Sequence, residues 1–271
     1  MTRGSTPTLT NEQVTAYLDR LAIDRTTLST DADSLRRLQL AHLDTIPFEN
    51  LDIVSGGVRH DRLAAVDKII GSQRGGWCFE VNGAFSLLLR QLGFEVKLLG
   101  AAVLRDGPCT VIEHVLMEVS ASGLEPHLVD VGFGSSFDLP LRLNTSDAQD
   151  GGSGIFELIA SPQGTTVARH DEGIPTALMR FKRVAHAFGD FEAVADSMQT
   201  DPTKSWATKP FATRRLAADA DIGGAGRVSL SHDHLVVRRG TDEQRTKLSG
   251  RRWEAALQTW FGFSSPLQRT E

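Results

Sequence analysis

Only two cysteines, Cys78 and Cys109, occur among the 271 residues. That scarcity excludes a disulfide-stapled scaffold and points to a reducing compartment, hence a cytoplasmic protein. Neither cysteine has a second one two to four residues away, so the spacing of a zinc site is missing and no metal is expected. Positive charge is not in surplus. Lys and Arg number 29 against 34 Asp and Glu, a net charge of −5 that offers nucleic acid no basic footprint. No apolar run approaches the ~18 residues that a membrane span needs. Residues 1–10 lack the charged-then-apolar pattern of a secretory signal. Internal repeats and low-complexity stretches are absent too. What remains is an ordinary globular composition, 40% hydrophobic and 23% charged, in a chain long enough to bury a substantial core.

Against that background the stretch Arg74-Gly75-Gly76-Trp77-Cys78-Phe79-Glu80-Val81-Asn82-Gly83 stands out. Gly75 and Gly76 read as a tight turn at positive φ. The apolar run after Cys78 reads as a buried helix, which sets Cys78 at or just inside a helix N-terminus. Free N–H groups and the positive end of the helix dipole favour an anion there, and such surroundings activate a thiol as a nucleophile. A lone free cysteine is equally a small buried hydrophobe, so the choice depends on its partners.

Thr10 or Asn11 caps a helix over Val14, Tyr17, Leu18 and Leu21. Leu35, Leu38, Leu40 and Leu43 predict a second helix, halted at Ile46-Pro47, and residues 62–70 a short third. From residue 94 the period changes. Strands are expected over 95–105, 111–119 and 127–131, with shorter ones over 155–159, 165–169 and 177–183, together an antiparallel sheet or barrel. A short helix over 191–198, a turn-rich loop over 201–206, a hairpin of 227–230 with 234–238 and an amphipathic helix over 248–261 follow.

A cysteine nucleophile needs a base, and the base needs an orienting group. His114 falls inside the strand predicted over 111–119, and Asp130 ends the next one. On neighbouring strands the two can meet, and each needs a polar partner if buried among apolar residues. A satisfied core histidine and a strand-end turn aspartate are the plainer readings of each alone. A Cys78–His114–Asp130 triad explains both at once. His127 is an alternative base. His42, His60, His170, His232 and His234 lie in polar or loop-like surroundings and read as surface, and His186, between alanines, as packing. Gly223-Gly224-Ala225-Gly226 neither follows a convincing strand nor opens a helix, so it is not a dinucleotide loop.

The blocks Ile46-Pro47-Phe48-Glu49-Asn50-Leu51, Arg74 to Gly83, His114 in a strand and Val129-Asp130-Val131-Gly132-Phe133-Gly134 occur in an order and spacing that resemble the arylamine N-acetyltransferases. The resemblance extends over roughly residues 10–215. It implies an α+β fold with a helical N-terminal domain (1–95) carrying the nucleophile, a central β-barrel (96–200) carrying His114 and Asp130, and a C-terminal α/β lid (201–271). It implies a cysteine-protease-like Cys-His-Asp triad in which Cys78 takes an acetyl group from acetyl-CoA. The group then passes to an arylamine, arylhydrazine or N-hydroxyarylamine in a ping-pong reaction. Phe48 and Phe133 would wall the substrate site, Gly132 and Gly134 would let the pantetheine of CoA approach the backbone, and Arg74 with Glu49 would form a buried supporting pair. The implied partners are a small aromatic amine or hydrazine and a CoA thioester, with no nucleic acid and no membrane. Association into a homodimer is left open.

Three features depart from the family pattern. Glu113 precedes the base where many members carry a small hydroxyl residue. Ile222 to Arg227 holds no aromatic residue, and Ser205-Trp206 stands where Ser-Phe is usual. A weakened CoA site would suit an alternative on the same scaffold, an amide synthase that moves a longer acyl chain from a carrier-protein thioester to an aryl amine. A papain- or transglutaminase-like hydrolase shares the Cys–His–Asp order, but the Phe48 and Phe133 blocks argue against it. A non-catalytic binding protein is a third class, and an unreactive Cys78 would mark it.

Overall fold

The computed structural model describes residues 6–105, 107–171, 173–218 and 224–265. Ile222 and Gly223, part of the stretch lacking an aromatic, lie outside them. The first part is helical: α1 (Asn11–Arg20), α2 (Ala32–Thr45), α3 (Leu51–Ser55), α4 (Arg62–Gly71) and α5 (Cys78–Gln91), with a two-residue strand β1 (Phe48–Glu49) between α2 and α3. Thr10 starts α1 with a reciprocal capping box. Its hydroxyl accepts from Gln13 N–H at 3.2 Å, and the Gln13 side chain accepts from Thr10 N–H at 3.0 Å. Asp31 and Asp61 cap α2 and α4. Helix α5 is buried from Cys78 to Leu89, apolar on nearly every side as an internal helix must be.

Strands β2 (Glu95–Val103), β3 (His114–Ala121), β4 (Leu124–Val129), β5 (Leu141–Arg142), β6 (Gln149–Asp150), β7 (Ile155–Ser161), β8 (Gly164–Asp171) and β9 (Ile174–Phe181) form one antiparallel sheet. Its order is β5-β4-β3-β2-β9-β8-β7-β6. The two end strands meet through a side chain. The Gln149 amide accepts from Arg142 N–H at 2.8 Å and donates to Arg142 C=O at 3.1 Å, so the sheet is a nearly closed barrel. Its interior holds Leu99, Leu116, Leu128, Phe137, Phe156 and Met179. The strand expected over 111–119 begins only at His114. Val111 and Ile112 leave the sheet and are 58% and 38% exposed. An alternating apolar pattern cannot separate a strand from the exposed approach to it.

After α6 (Glu192–Thr200) and the short α7 (Ser205–Thr208), strands β10 (Ala212–Leu216), β11 (Gly226–Leu230), β12 (His234–Arg239) and β13 (Asp242–Lys247) build a second antiparallel sheet backed by α8 (Gly250–Phe261). Its first strand is β1: Phe48 pairs with Thr213 and Glu49 with Ala212. Leu51 packs into the same core as Trp253 and Leu257. The expected hairpin is β11–β12. The turn-rich loop instead holds α7, and β10 and β13 were not expected.

Gly75 and Gly76 do not adopt positive φ. The chain there runs beside β1, with Gly76 bridged to Phe48 and Gly76 C=O accepting from Glu49 N–H at 3.0 Å. The glycines serve close approach: a Cβ at Gly75 would lie 1.8 Å from Pro47 O, and one at Gly76 2.5 Å from Glu80 Oε2. Beside them lies a buried charge cluster. Arg74 donates to Glu49 Oε1 through Nε (3.0 Å) and Nη2 (2.7 Å) and reaches Asp52 at 3.0 Å. Lys68 contacts Asp52 at 2.7 Å and Glu80 at 3.0 Å. Glu80 also accepts from Trp77 N–H, closing the first turn of α5. Burial, and then the charge of Glu49, push Glu80 up to about 7 against the pull of Lys68.

Two outcomes are expected. Gly75→Ala should cost about 1–3 kcal/mol of unfolding free energy in denaturant titrations, because the added methyl meets backbone and not a yielding side chain. Arg74→Ala should cost more, about 3–5 kcal/mol, since Glu49 is left buried without its main partner. Stability equal to wild type in either variant would contradict this packing.

Candidate active site

Cys78 is the first residue of α5 and is 5% exposed, with Trp77 in the N-cap position. One helical turn later, Asn82 projects from the same face. Strand β3 opens with His114. Its register with β4 sets Met117 opposite Val129, so Asp130 follows directly on the end of β4 and reaches the His114 ring. His114 Nε2 lies 2.7 Å from Asp130 Oδ2. With Nε2 so engaged, Nδ1 is the nitrogen left for the Cys78 sulfur, which is near enough to favour the protonated ring.

The other carboxylate oxygen is held as firmly. Asp130 Oδ1 accepts from Gly132 N–H at 2.8 Å and from Asn82 Nδ2 at 2.9 Å. Asn82 also donates to Val115 C=O at 2.7 Å and accepts from Val131 N–H at 2.9 Å. One amide thus ties α5 to β3 and to the turn after β4. Sequence reasoning gave Asn82 no role. The signal was there in its spacing of four residues from Cys78 within an apolar run. Burial pulls the His114 imidazolium down. The charge and hydrogen bond of Asp130, with the contact to Cys78, outweigh this, and the ring is pushed up to about 10.

Phe133 stands edge-on to His114 with ring centroids 5.2 Å apart, and the Arg105 guanidinium lies 4.6 Å over its ring. Phe133, Phe48 and Gly134 line a cavity of about 520 Å³, together with Trp206, Phe211 and Thr213. Its rim carries Arg105, Lys209, Arg227 and Arg238. Gly134 adopts φ of 83°, a conformation that suits glycine. Gly132 lies elsewhere: a Cβ there would be 2.8 Å from Cys78 Cα and 2.6 Å from Asn82 Nδ2. The close approach at Gly132 is to the helix that carries the cysteine. Trp206 stacks on Trp77 at 4.9 Å.

Three of the other histidines are placed as follows. His127 sits opposite Val119 on the β3–β4 ladder, five residues along β3 from His114 and so on the order of 16 Å away, with Nδ1 near Glu125 C=O. His42 is not on the surface. It is fully buried, bonded to the Tyr17 hydroxyl at 3.0 Å and packed on Phe85, and burial, then Arg20, push it down to about 3. It lies two turns after Leu35 on the core face of α2, which helical periodicity alone would have shown. His186 packs on Phe191. Cys109 is a free, half-buried thiol that lines a different cavity with Ile112, and its sulfur lies 3.7 Å from Glu113 Oε1. Among the described residues no three His, Cys, Asp or Glu side chains are grouped to hold a metal ion, and no helix is long and apolar enough to cross a membrane.

The chain is similar to known proteins along most of its length. A family model described as N-acetyltransferase matches residues 31–269. Arylamine N-acetyltransferase 2 of Mus musculus is 29% identical over 222 residues, which make up 73% of this chain and 76% of that one. An arylamine N-acetyltransferase of Mycobacterium tuberculosis is 41% identical over 145 residues, half of each chain. Among solved structures, the arylamine N-acetyltransferase of Salmonella typhimurium superposes with a TM-score of 0.85 at 26% identity, covering 94% of this chain and 92% of that one. That of Mycobacterium marinum in complex with CoA gives a TM-score of 0.81 at 30% identity over 92% of both chains. With this sheet order, this cysteine-bearing helix and a family match over so much of its length, the chain belongs to the arylamine N-acetyltransferase family.

Proposed function

We propose that the chain acetylates a small aromatic amine, hydrazine or N-hydroxyarylamine with acetyl-CoA, through an acetyl-cysteine at Cys78. The observation that carries this reading is the His114 ring, locked by Asp130 at 2.7 Å and stacked edge-on to Phe133, a wall of an aromatic cavity that arginines also line. In the first half-reaction the sulfur of Cys78, its proton already resting on the His114 ring, attacks the thioester carbonyl. The C–S bond to CoA breaks, and the CoA sulfur leaves with the proton from His114. In the second, the amine nitrogen attacks the acetyl-cysteine and gives its proton through His114 to the departing Cys78 sulfur. The free N–H groups of the first turn of α5 are placed to bind the oxyanion of each tetrahedral intermediate.

Phe48 and Phe133 offer flat apolar walls to an aromatic amine. Arg105, Arg227 and Arg238 on the rim suit the phosphates of CoA, so cations take over where the expected aromatic near residues 222–227 is missing. The Glu113 carboxylate lies 3.7 Å from the sulfur of Cys109, a residue that lines a different cavity from the one at Phe48 and Phe133. The solved relative that holds CoA favours a CoA thioester over the carrier-bound donor of an amide synthase. A free thiol nucleophile works in a reducing compartment, which favours the cytosol.

Incubation with acetyl-CoA and no amine should add one acetyl group by intact mass, and Cys78→Ser should show none. A second prediction concerns charge. At neutral pH the His114 ring should carry protons on both nitrogens and titrate near 10 by heteronuclear NMR. Because the folded-state value lies above the unfolded ~6.5, the stability that this pair contributes is complete below about pH 6.5 and is lost as pH rises through 10. Asp130→Asn should lower that titration point, flatten the alkaline loss and reduce kcat by about 10³–10⁴-fold. An unchanged titration with normal turnover would leave Asp130 without the orienting role.

A further inference from the structure

Helix α5 has a second side. Helix α4, the segment before it and residues 186–192 wall a cleft of about 950 Å³. It shares no lining residue with the cavity at Phe48 and Phe133. Arg62, the first residue of α4, lines this cleft and is only 9% exposed. Its aliphatic stem lies across α5: a Cβ at Gly83 would meet Arg62 Cγ and the Phe188 ring, each at 3.0 Å. Its guanidinium stands 4.9 Å over that ring and, among the described residues, makes no hydrogen bond or ion pair.

The groups around it do not supply a counter-charge. Arg90, from the far end of α5, faces the same cleft and spends one nitrogen on Val96 C=O. Burial, and then the charge of Arg90, pull Arg62 down to about 10. Asp61 is committed elsewhere: it accepts the N–H groups of Leu63 and Ala64 and pairs with Arg59 at 2.6 Å. Asp190 accepts from Ala187 N–H, while Glu192 and Asp196 are exposed on the opposite wall. His60 is stacked flat on Phe188 at 4.0 Å, with Nε2 at Phe188 C=O and a buried Nδ1 that has no partner. A side chain nine-tenths withdrawn from water, with a second cation facing it, carries a desolvation cost that the charge of Asp61 offsets only in part and that no carboxylate among the described residues relieves by pairing.

We propose that this cleft binds a phosphate-class oxyanion, free or as the terminal group of a small molecule. The fork of Arg62 grips it, Arg90 adds a second positive charge, and His60, whose Nε2–H donates to Phe188 C=O, accepts at Nδ1 from a protonated oxygen of the anion. The planar guanidinium suits two oxygens of one phosphate, and the stacked His60–Phe188 pair holds the imidazole in place beside it. The site is separate from the one that receives acetyl-CoA and acts on the opposite face of the helix that carries Cys78.

The test is calorimetric titration of inorganic phosphate into the full chain at ionic strength fixed with potassium chloride. Wild type, Arg62→Gln, Arg90→Gln and Arg227→Gln are compared. One saturable binding event should weaken at least about ten-fold in Arg62→Gln and several-fold in Arg90→Gln, and persist in Arg227→Gln, whose change lies in the other cavity. Absence of saturable binding in wild type overturns the proposal. So does undiminished affinity in folded Arg62→Gln, or a loss confined to Arg227→Gln. If Arg62→Gln does not fold, the exposed Arg90 decides: unchanged affinity in Arg90→Gln overturns the site.

Discussion

A carboxylate sealed from water must have every oxygen satisfied, and Asp130, whose side chain has no exposure at all, meets that demand from three directions. One oxygen faces His114, and the other takes the N–H of Gly132 and the amide of Asn82. The three elements that surround the Cys78 sulfur are thereby fixed to one another. Moving α5, β3 or the turn after β4 would strand a buried charge, a far greater penalty than any apolar contact there could offset. Gly132 is part of the same constraint. Its missing side chain lets the turn press against the backbone of Cys78. Cys78 is held near His114 less by its own contacts than by the neighbours of its neighbours.

The entry to α5 relies on charge in a different way. Glu49, Asp52 and Glu80 face Lys68 and Arg74, three acids against two bases. The surplus falls on Glu80, whose raised proton affinity brings its titration close to neutrality. The helix cap and the β1 contact both run through this cluster, so the N-terminal turn of α5 is sensitive to pH near neutrality. The two arrangements sit at successive turns of one helix and share no residue.

Much of this could be read before any coordinates. The meeting of His114 with Asp130 was legible because buried polar groups in apolar segments have few ways to be satisfied, and each could answer for the other. Asn82 was missed because a polar residue inside a helix gives no hint of which strand it will meet. His42 was misjudged although it lies between Ala41 and Leu43 and its neighbours one and two turns back are Leu38 and Leu35, the buried stripe of that helix. Strand β13 was illegible in principle. Asp242–Lys247 has no apolar alternation, because it is an exposed edge whose charges guard against pairing with another chain. In β10, Arg214 and Arg215 hid a strand, since their heads leave the sheet to reach Asp44, Asp138 and the carbonyl of Trp260.

The smallest strand has the longest reach. Residues 48–49 belong by position to the helical part, yet they are finished only by β10, and Asn50 beside them holds Phe211 across a separation of 161 residues. A ribosome therefore releases the cysteine-bearing helix and the barrel well before the strand that completes the wall at Phe48 exists. During synthesis Cys78, His114 and Asp130 all emerge before the strand that finishes the wall at Phe48, and the segment from Asp130 to Leu216 must be translated before that wall can close.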